Sequence, residues 1–513
     1  MPPDGTRGPD GRGHPNANTD IMHLSYRKAI HMDRRQITPL FLALALGTVG
    51  CSDPNDAETS NSATSGDTSD ATTGGTSDTA TSADTTGTTT SSSTTSAGTD
   101  SGTPGDCADP TDPAASKMGL SGEITSDTTL TCDTIWILED HVFVRGAVLT
   151  IEPGTTIQGL GGSALVIDVD ARIEAEGTAD APIVMTSNQP PGSRNRGDWG
   201  GLVLLGQAPI NLAGGSGQAE GFANPPTYGG NDPSHDCGTL RYVRVEFAGF
   251  EIAPGSELNG ITFYACGTET TVEYVQSHMG ADDGMEMFGG SFIAKHVVVT
   301  GAADDSIDCD QGFRGKLQYG LVVQDPALGD NGFEWSNQGT DFTAMPLTGP
   351  VVSNFTLIGS GPGGDKSKGA TFKEGTEGFI HNSMFVGFTN EAFLLAHPET
   401  QAVAEGGGIV VTHTLFFANG TPQFDTDDGA AWAPSDFENF VLDASNANLD
   451  GTDPMLASTE WPNVDPTPAM GSPVAGAGAD VGDPDLEPTD YIGAVEPGAT
   501  EAWFAGWTNF SPN

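Results

Sequence analysis

The sequence predicts an all-β protein built as a parallel β-solenoid, in which successive coils of the chain stack in register. Short β-branched and aromatic runs separated by Gly, Asp and Asn follow Cys107, and no sustained 3.6-residue period occurs. Strand-like phrases recur every 22 to 35 residues, from LRYVRVEFAG at 240 to IVVTHTLFFANG at 409. A second phrase follows three of them: ADDGMEMFGG at 281, ADDSIDCDQG at 303 and DNGFEWSNQG at 330. Two linked phrases that recur together indicate one structural repeat.

Composition narrows the possible partners. The 513 residues carry a formal net charge of −50, which excludes a protein that must neutralise nucleic-acid phosphates and argues against docking on anionic lipid. Gly, at 70 residues, is about twice as frequent as usual, which indicates many turns and little helix. Six Cys are too few for a disulfide scaffold but suit an exported protein with one or two disulfides.

The first fifty residues predict export. Residues 1–31 are polar, and we interpret them as an extension before the true start at Met32. Residues 32–50 consist of a basic stretch and then an apolar stretch of about 13 residues, too short to span a bilayer. TVGC at 48–51 resembles the lipobox of bacterial lipoproteins, which implies acylation of Cys51. Ser52 then implies the outer membrane. The alternative is an ordinary signal peptide followed by an unrelated Cys.

A tether precedes the folded body. Residues 51–106 are nearly all Thr, Ser, Gly, Asp and Ala, a composition that cannot bury apolar surface and predicts disorder. As a random coil this segment spans roughly 40 Å, enough to hold the body away from the membrane.

The body, residues 107–430, is predicted to be the solenoid, because a unit of about 25 residues without helix matches one coil of a parallel β-solenoid. A β-sandwich is the alternative, but it needs hairpin signals every 8 to 12 residues. Residues 431–513 lose the repeat and are predicted to form an irregular C-terminal cap containing the aromatic segment around Trp503 and Trp507.

Alternation within the second phrase predicts which side chains face outward. Apolar residues occupy equivalent positions in the three copies: Met285 and Met287, Ile307 and Cys309, Phe333 and Trp335. Glu286, Asp308 and Glu334 lie between them and point the opposite way. If coils stack about 4.8 Å apart, these acids form a ladder.

This acidic ladder is the best candidate for chemistry, because like charges so close together are costly without a cation. Calcium suits it, since calcium accepts six to eight oxygen ligands in flexible geometry. The alternative is that the first Asp of each pair makes an Asx turn and the other acids are solvated. The predicted calcium ligands are Asp282, Asp283, Glu286, Asp304, Asp305, Asp308, Asp310, Asp330 and Glu334.

Several early segments support a family resemblance over roughly residues 130–420. EPGTTIQG, EAEGTADAPIVMTS, WGGLVLLG, YGGNDPSHDCGTLRYVRVEFAG and ADDGMEMFGG resemble the coils of bacterial surface lipoproteins with a right-handed parallel β-helix, or pectin-lyase-like, fold. The resemblance implies that fold and a surface location. It implies little about activity, because most members are uncharacterised.

Cysteine pairing follows from the coil arrangement. With Cys51 lipidated, we predict that Cys107 pairs with Cys132 and Cys237 with Cys266. Cys309 shares a position with Met287 and Trp335, which favours a small buried hydrophobe over a reactive nucleophile. The sequence has no CxxC motif or Cys/His metal spacing, so zinc is not predicted.

Two functions are consistent with these observations. The leading hypothesis is a cell-surface lipoprotein that presents an acidic, calcium-stabilised β-helix for adhesion, or for binding a glycan or a surface protein. The alternative is a polysaccharide-degrading lyase or glycoside hydrolase. Its centre would be Asp283, Asp305 and Asp308, and its candidate basic groups are Arg314, Lys316 and Lys373.

Overall fold

The computed structural model describes residues 107–253 and 256–513, and its framework is a 26-stranded sheet wound into coils. The strand pairings within this sheet are parallel, as between β12 (Gly238–Glu246) and β16 (Thr271–His278). The predicted all-β solenoid is therefore confirmed. The predicted extension, signal peptide, Cys51 and tether lie outside the described residues.

The bounds of the elements follow the chain. The first coils contain β1 (Lys117–Ile124), β2 (Thr128–Leu130), β3 (Ile135–Val144), β4 (Val148–Ile151), β5 (Thr156–Gly159), β6 (Ala164–Ile167), β7 (Arg172–Glu176), β8 (Ile183–Ser187) and β9 (Gly201–Leu205). The middle coils contain β10 (Gly217–Gln218), β11 (Thr227–Tyr228), β12, β13 (Glu251–Ala253), β14 (Ser256–Glu257), β15 (Ile261–Tyr264), β16, β17 (Met285–Phe288), β18 (Ile293–Thr300), β19 (Ile307–Asp310), β20 (Lys316–Val323) and β21 (Asn331–Ser336). The last part contains β22 (Val351–Ile358), β23 (Lys368–Lys373), β24 (Gly378–His381), β25 (Met384–Val386), β26 (Phe393–Ala396), α1 (Pro398–Glu405), β27 (Ile409–Thr412), β28 (Leu415–Phe417), β29 (Phe424–Asp427), α2 (Pro434–Val441), a 3-10 turn (Ala444–Asn446), β30 (Leu449–Asp450), β31 (Leu456–Ser458) and β32 (Asp465–Pro468).

Three faces run along the solenoid. Sheet A contains β15, β17, β19, β21, β23, β26 and β29. The longer strands of the middle coils, β12, β16, β18, β20 and β22, each contain one bend. The residues before the bend form sheet B, and the residues after it form sheet C. The chain then turns a corner from sheet C into sheet A of the same coil.

The residue at the bend between sheets B and C has a positive φ in successive coils. These residues form the bend column: Tyr242, Tyr274, His296, Tyr319, Asn354, Asn382 and His413. Left-handed backbone is tolerated best by Asn, Asp and His among non-glycine residues. The Tyr members are stabilised instead by their neighbours, since the rings of Tyr242 and Tyr274 stack with centroids 4.4 Å apart.

The core consists of inward side chains stacked coil on coil. Met287, Cys309 and Trp335 are register partners, and each is 1% exposed or less. The inward positions predicted for the second phrase are therefore confirmed. Phe372 continues the same column in β23.

The C-terminal segment does more than close one end. Helix α2 covers the last coil, with Phe437 and Val441 fully buried. Residues 474–513, here called the C-terminal strap, instead run back along the solenoid: the side chain of Gln318 bonds the backbone of Glu487, and that of Gln276 bonds the backbone of Asn509. Residues 431–513, predicted to form an irregular C-terminal cap, thus include a part that returns along the solenoid, where outward amide side chains near the bend bind it. No helix of the described residues is long and apolar enough to cross a membrane.

Candidate functional site: an acidic column

The register of sheet A stacks three acidic side chains. Glu286 is the partner of Asp308, and Asp308 is the partner of Glu334. This confirms the alignment predicted from alternation. Because neighbouring strands lie about 4.8 Å apart, these carboxylates form a continuous ladder on the outward face.

A second ladder lies three residues earlier in each coil, at the corner between sheets C and A. Its members are Asn259, Asp283, Asp305 and Asn331. The side-chain oxygen of each of the first three accepts a hydrogen bond from the backbone N–H of the next member, at 3.2, 3.0 and 2.7 Å. These bonds fix the loops of successive coils relative to one another.

A third ladder, Asp282, Asp304 and Asp330, lies one residue earlier again. The carboxylates of the three ladders, here called the acidic column, are Asp282, Asp283, Glu286, Asp304, Asp305, Asp308, Asp330 and Glu334. They form four overlapping sets of three whose oxygens lie within 4.8 Å of one another: Asp282/Asp283/Asp304, Asp283/Glu286/Asp308, Asp304/Asp305/Asp330 and Asp305/Asp308/Glu334.

The middle of the acidic column is buried. Asp283, Asp305 and Asp308 are 7%, 5% and 9% exposed. Burial, and then repulsion from neighbouring carboxylates, raises the pKa of all three well above its usual range. The same causes raise the pKa of Asp282 to about 7. Ionising these groups together is therefore costly unless a cation compensates them.

One oxygen of the column has no partner. Oδ1 of Asp308 is buried and makes no hydrogen bond. Most buried polar atoms in proteins are hydrogen-bonded, and a buried carboxylate oxygen without a partner is costly. Asp308 belongs to two of the four carboxylate sets, so a cation held there would supply the missing partner.

One end of the column is compensated by the chain itself. Lys368 Nζ lies 3.0 Å from Asp330, and Lys373 Nζ lies 2.6 Å from Glu334. At the other end, the neutral amide Nδ2 of Asn259 donates a hydrogen bond to Glu286 at 2.5 Å but supplies no positive charge. The excess negative charge is therefore concentrated away from the lysines, around Asp283, Glu286 and Asp308.

The donor set fits calcium. The column offers carboxylate oxygens from loops and strands, in several overlapping sets, which matches the large and flexible coordination shell of calcium. Zinc prefers nitrogen and sulfur ligands, and magnesium is usually bound by only one or two carboxylates in strict octahedral geometry.

Asp310 is the predicted calcium ligand that the structure separates from the rest. It lies two residues beyond Asp308, on the same face but roughly 7 Å further along the strand. Its oxygen accepts a hydrogen bond from the N–H of Gln311, and it belongs to none of the four sets found among the described residues. Burial raises its pKa to about 7.

Sequence analysis missed three members of the site. Asn259 and Asn331 stand three residues before Thr262 and Glu334, the spacing that also separates Asp283 from Glu286, so the aligned phrases contained a signal for both. Glu220 had no such signal. It comes from the loop around β10 and β11 and hydrogen-bonds Glu286, and desolvation raises its pKa.

The predicted catalytic set does not assemble as a unit. Asp283, Asp305 and Asp308 lie together, but Arg314 pairs with Glu377 at 2.6 Å. Lys316 begins β20 in sheet B and lies 2.6 Å from both Asp483 and Asp485 of the strap. The placement of these two basic groups at the ladder was wrong, because the chain has already turned from sheet A toward sheet B when it reaches them.

Lys373 does lie at the column, but it is a poor candidate for a base. Burial alone would lower its pKa, yet Glu334 raises it overall. A lysine that abstracts a proton near neutral pH needs a lowered pKa instead.

The cysteines pair as predicted. Disulfides join Cys107 to Cys132 and Cys237 to Cys266, and the thiol of Cys309 is free and buried. Burial raises the pKa of Cys309 well above its usual range. The thiolate, which is the nucleophile, is therefore disfavoured, and Cys309 acts as a small core residue.

Comparison with known proteins identifies the family. The model of the pectate-lyase-like β-helix domain matches residues 122–463, so this chain belongs to that family. The predicted β-helix fold and the predicted resemblance are thereby confirmed. No curated protein and no solved structure matches the chain significantly.

Proposed function

We propose that this chain is a lipoprotein of the bacterial cell surface that holds calcium in its acidic column and binds an extracellular glycan or protein without altering it. The anchor would be acylated Cys51 in the outer membrane, which the lipobox-like TVGC and the following Ser52 support. Residues 51–106 would hold the β-helix away from the lipid. The extended face of a solenoid suits repetitive ligands.

The calcium proposal rests on one observation, the unpartnered buried oxygen of Asp308 in the middle of the acidic column. Lys368 and Lys373 compensate one end of the column, whereas the middle has carboxylate neighbours on both sides. Calcium would bridge adjacent coils there and stabilise the corner loops.

A polysaccharide-degrading enzyme is the second candidate. In its favour, the raised pKa values of Asp283 and Asp305 would favour a protonated carboxyl, as the general acid of a glycosidase requires. Against it, the basic groups Arg314 and Lys316 pair elsewhere and the three carboxyls are buried.

Calorimetric titration tests the calcium proposal. Metal-free full-length protein titrated with calcium chloride should show saturable binding. Asp308→Asn should weaken that binding by about tenfold or more, since it removes a charge shared by two ligand sets while keeping the shape of the side chain. The exposed Asp465→Asn is the matched control and should bind calcium normally.

Melting gives a second measurement on the same proteins. A ligand that binds only the folded state at about 100 times its Kd stabilises that state by about 2.7 kcal/mol. Wild-type protein should therefore melt several degrees higher in calcium than in chelator. Absence of both binding heat and a melting shift would eliminate the calcium site.

A further inference from the structure

A groove with no assigned role lies at the same corner as the acidic column, beside the loops that carry it. It has a volume of about 570 Å³ and continues into a neighbouring depression of about 670 Å³, with Pro326, Ser360 and Trp461 lining both. Each volume is in the range of small-molecule sites.

The floor of the groove follows the solenoid axis. Ile358, Val386 and Phe417 end sheet C in three successive coils and line the groove. The residues that follow them are Gly359, Gly387 and Ala418, so no large side chain fills this corner. The coils of β12 and β16 differ, because Phe247 and Met279 occupy the equivalent positions and are buried. Coils lie about 4.8 Å apart, which is comparable to the length of one hexose unit.

A buried polar atom also marks the groove. Gln324 lines it and is 2% exposed, yet its Oε1 accepts no hydrogen bond. Its Nε2 donates to the backbone oxygen of Asp330 at 3.2 Å. Since buried polar groups normally have partners, this carbonyl indicates a donor that the chain does not itself provide.

The lining chemistry selects the ligand class. The charged residues that line the groove and its continuation are acidic, namely Asp325, Asp453 and Glu460. Arg196 pairs with Asp325 at 2.7 Å, so Asp453 and Glu460 carry the uncompensated charge of the lining. An anionic polymer is therefore disfavoured. Half-buried Trp461 offers an aromatic surface, and exposed Thr459 offers a hydroxyl group, a combination that suits a sugar.

The groove is less suited to an extended peptide. Peptides that add to a sheet require free backbone groups. Here the N–H groups of Gly359, Gly361 and Gly387 already bond the next coil, at 2.9, 3.0 and 3.0 Å.

We infer that this groove binds a neutral or amine-bearing glycan chain parallel to the solenoid axis. The inference rests on the proposed binding function and assigns its ligand class and its face. Calcium would act indirectly. Asp330 bonds the backbone of Asp304, and Asp365 bonds that of Pro326, so the acidic column and the groove wall share the same loops.

A glycan panel tests the inference. Full-length protein in calcium is applied to immobilised neutral, amine-bearing and uronate-bearing oligosaccharides and to extended peptides. Neutral or amine-bearing glycans should bind. The exposed Thr459 lines both the groove and its continuation, and Thr459→Tyr should fill them and weaken binding by about tenfold or more. Exposed Ala505 lies in a different depression, and Ala505→Tyr should bind normally.

The outcomes separate the two proposals. Glycan binding that survives Asp308→Asn but not Thr459→Tyr would support the groove and remove its link to calcium. No binding, binding only of uronates or peptides, or equal binding by both Tyr variants would overturn the inference. Release of reducing ends from a bound glycan would instead support the enzymatic alternative.

Discussion

The acidic column and the bend column are built in the same way but differ in how their polar groups are satisfied. Both consist of side chains at equivalent positions of successive coils, which parallel register brings together. The bend column is covered by the chain itself, since Asn354 and Asn382 bond the C-terminal strap and Trp503 and Trp507 pack over its aromatic members. The acidic column keeps an unpartnered buried oxygen at Asp308.

The difference shows what register alone can and cannot do. Parallel stacking places a side chain of one coil next to the equivalent side chain of the next coil, whether that side chain carries an aromatic ring, an amide or a charge. Where the chain also supplies the complementary groups, the column is a structural device. In the middle of the acidic column it does not, and the compensating partner must come from solution, as a proton or a metal ion.

The largest expected effect comes from uncovering the bend column. Trp507 is fully buried, with its ring centroid 5.6 Å from that of Tyr242. Trp507→Ala should lower the free energy of unfolding by about 3–5 kcal/mol, because it leaves a large cavity over the stacked rings. Urea denaturation followed by circular dichroism measures this change.

Melting in calcium shows whether Trp507→Ala also affects the acidic column. The rise in melting temperature that calcium is expected to cause should be the same in Trp507→Ala as in wild-type protein. Trp507→Phe keeps an aromatic ring and should cost less than the Ala variant. If the calcium increment disappeared in Trp507→Ala, the two columns would not be independent.

An intermediate effect is expected from pH, with opposite signs in the two columns. The pKa of Asp282 is raised to about 7, so the folded state binds more protons than the unfolded state between about pH 4 and 7. The free energy of unfolding of the metal-free protein should therefore decrease as pH rises through that window. Burial lowers to about 4 the pKa of His296 in the bend column and of His381, which precedes its member Asn382. The stability that these neutral imidazoles contribute is lost as pH falls below about 6.5.

Melting at several pH values, in calcium and in chelator, separates these contributions. The calcium increment should be near zero at about pH 5, where protons occupy the carboxylates, and several degrees at about pH 8. His296→Phe preserves stacking between Tyr274 and Tyr319 and removes one titrating group. This variant should lose less stability than wild-type protein as pH falls below about 6.5. The rise in melting temperature caused by calcium should be unchanged. An increment independent of pH would contradict the assignment of calcium to raised-pKa carboxylates.

Much of this architecture could be predicted because solenoid physics is local and repetitive. Two-residue alternation around Glu286, Asp308 and Glu334 decided which side chains point outward, and the repeated phrase decided which ones stack. Recurring Asp at positions 283 and 305 placed both residues among the predicted calcium ligands, but the second ladder that they form was not predicted. The disulfide pairing followed from coils that bring distant cysteines together.

What sequence analysis missed depends on contacts outside the repeat. Glu220 reaches Glu286 from an insertion whose path no periodicity describes. The strap has no repeat either, so the partners of Lys316 could not be predicted, and the side chain was placed at the wrong face. The corner groove likewise depends on where the segment around Trp461 returns.

The smallest expected effect concerns the attachment of the strap by charge. Lys316 bridges Asp483 and Asp485, and these side chains are 22–46% exposed, so solvent screens the pairs. Lys316→Met should lower the free energy of unfolding by less than about 1 kcal/mol. Hydrogen exchange should become faster in residues 483–491, whereas the corner loops should keep their protection. Exposed Lys366→Met, on a corner loop, is the matched control and should leave strap exchange unchanged. A loss of several kcal/mol in Lys316→Met would mean that charge, rather than the packing of Trp507 and the amide bonds of Gln276 and Gln318, holds the strap in place.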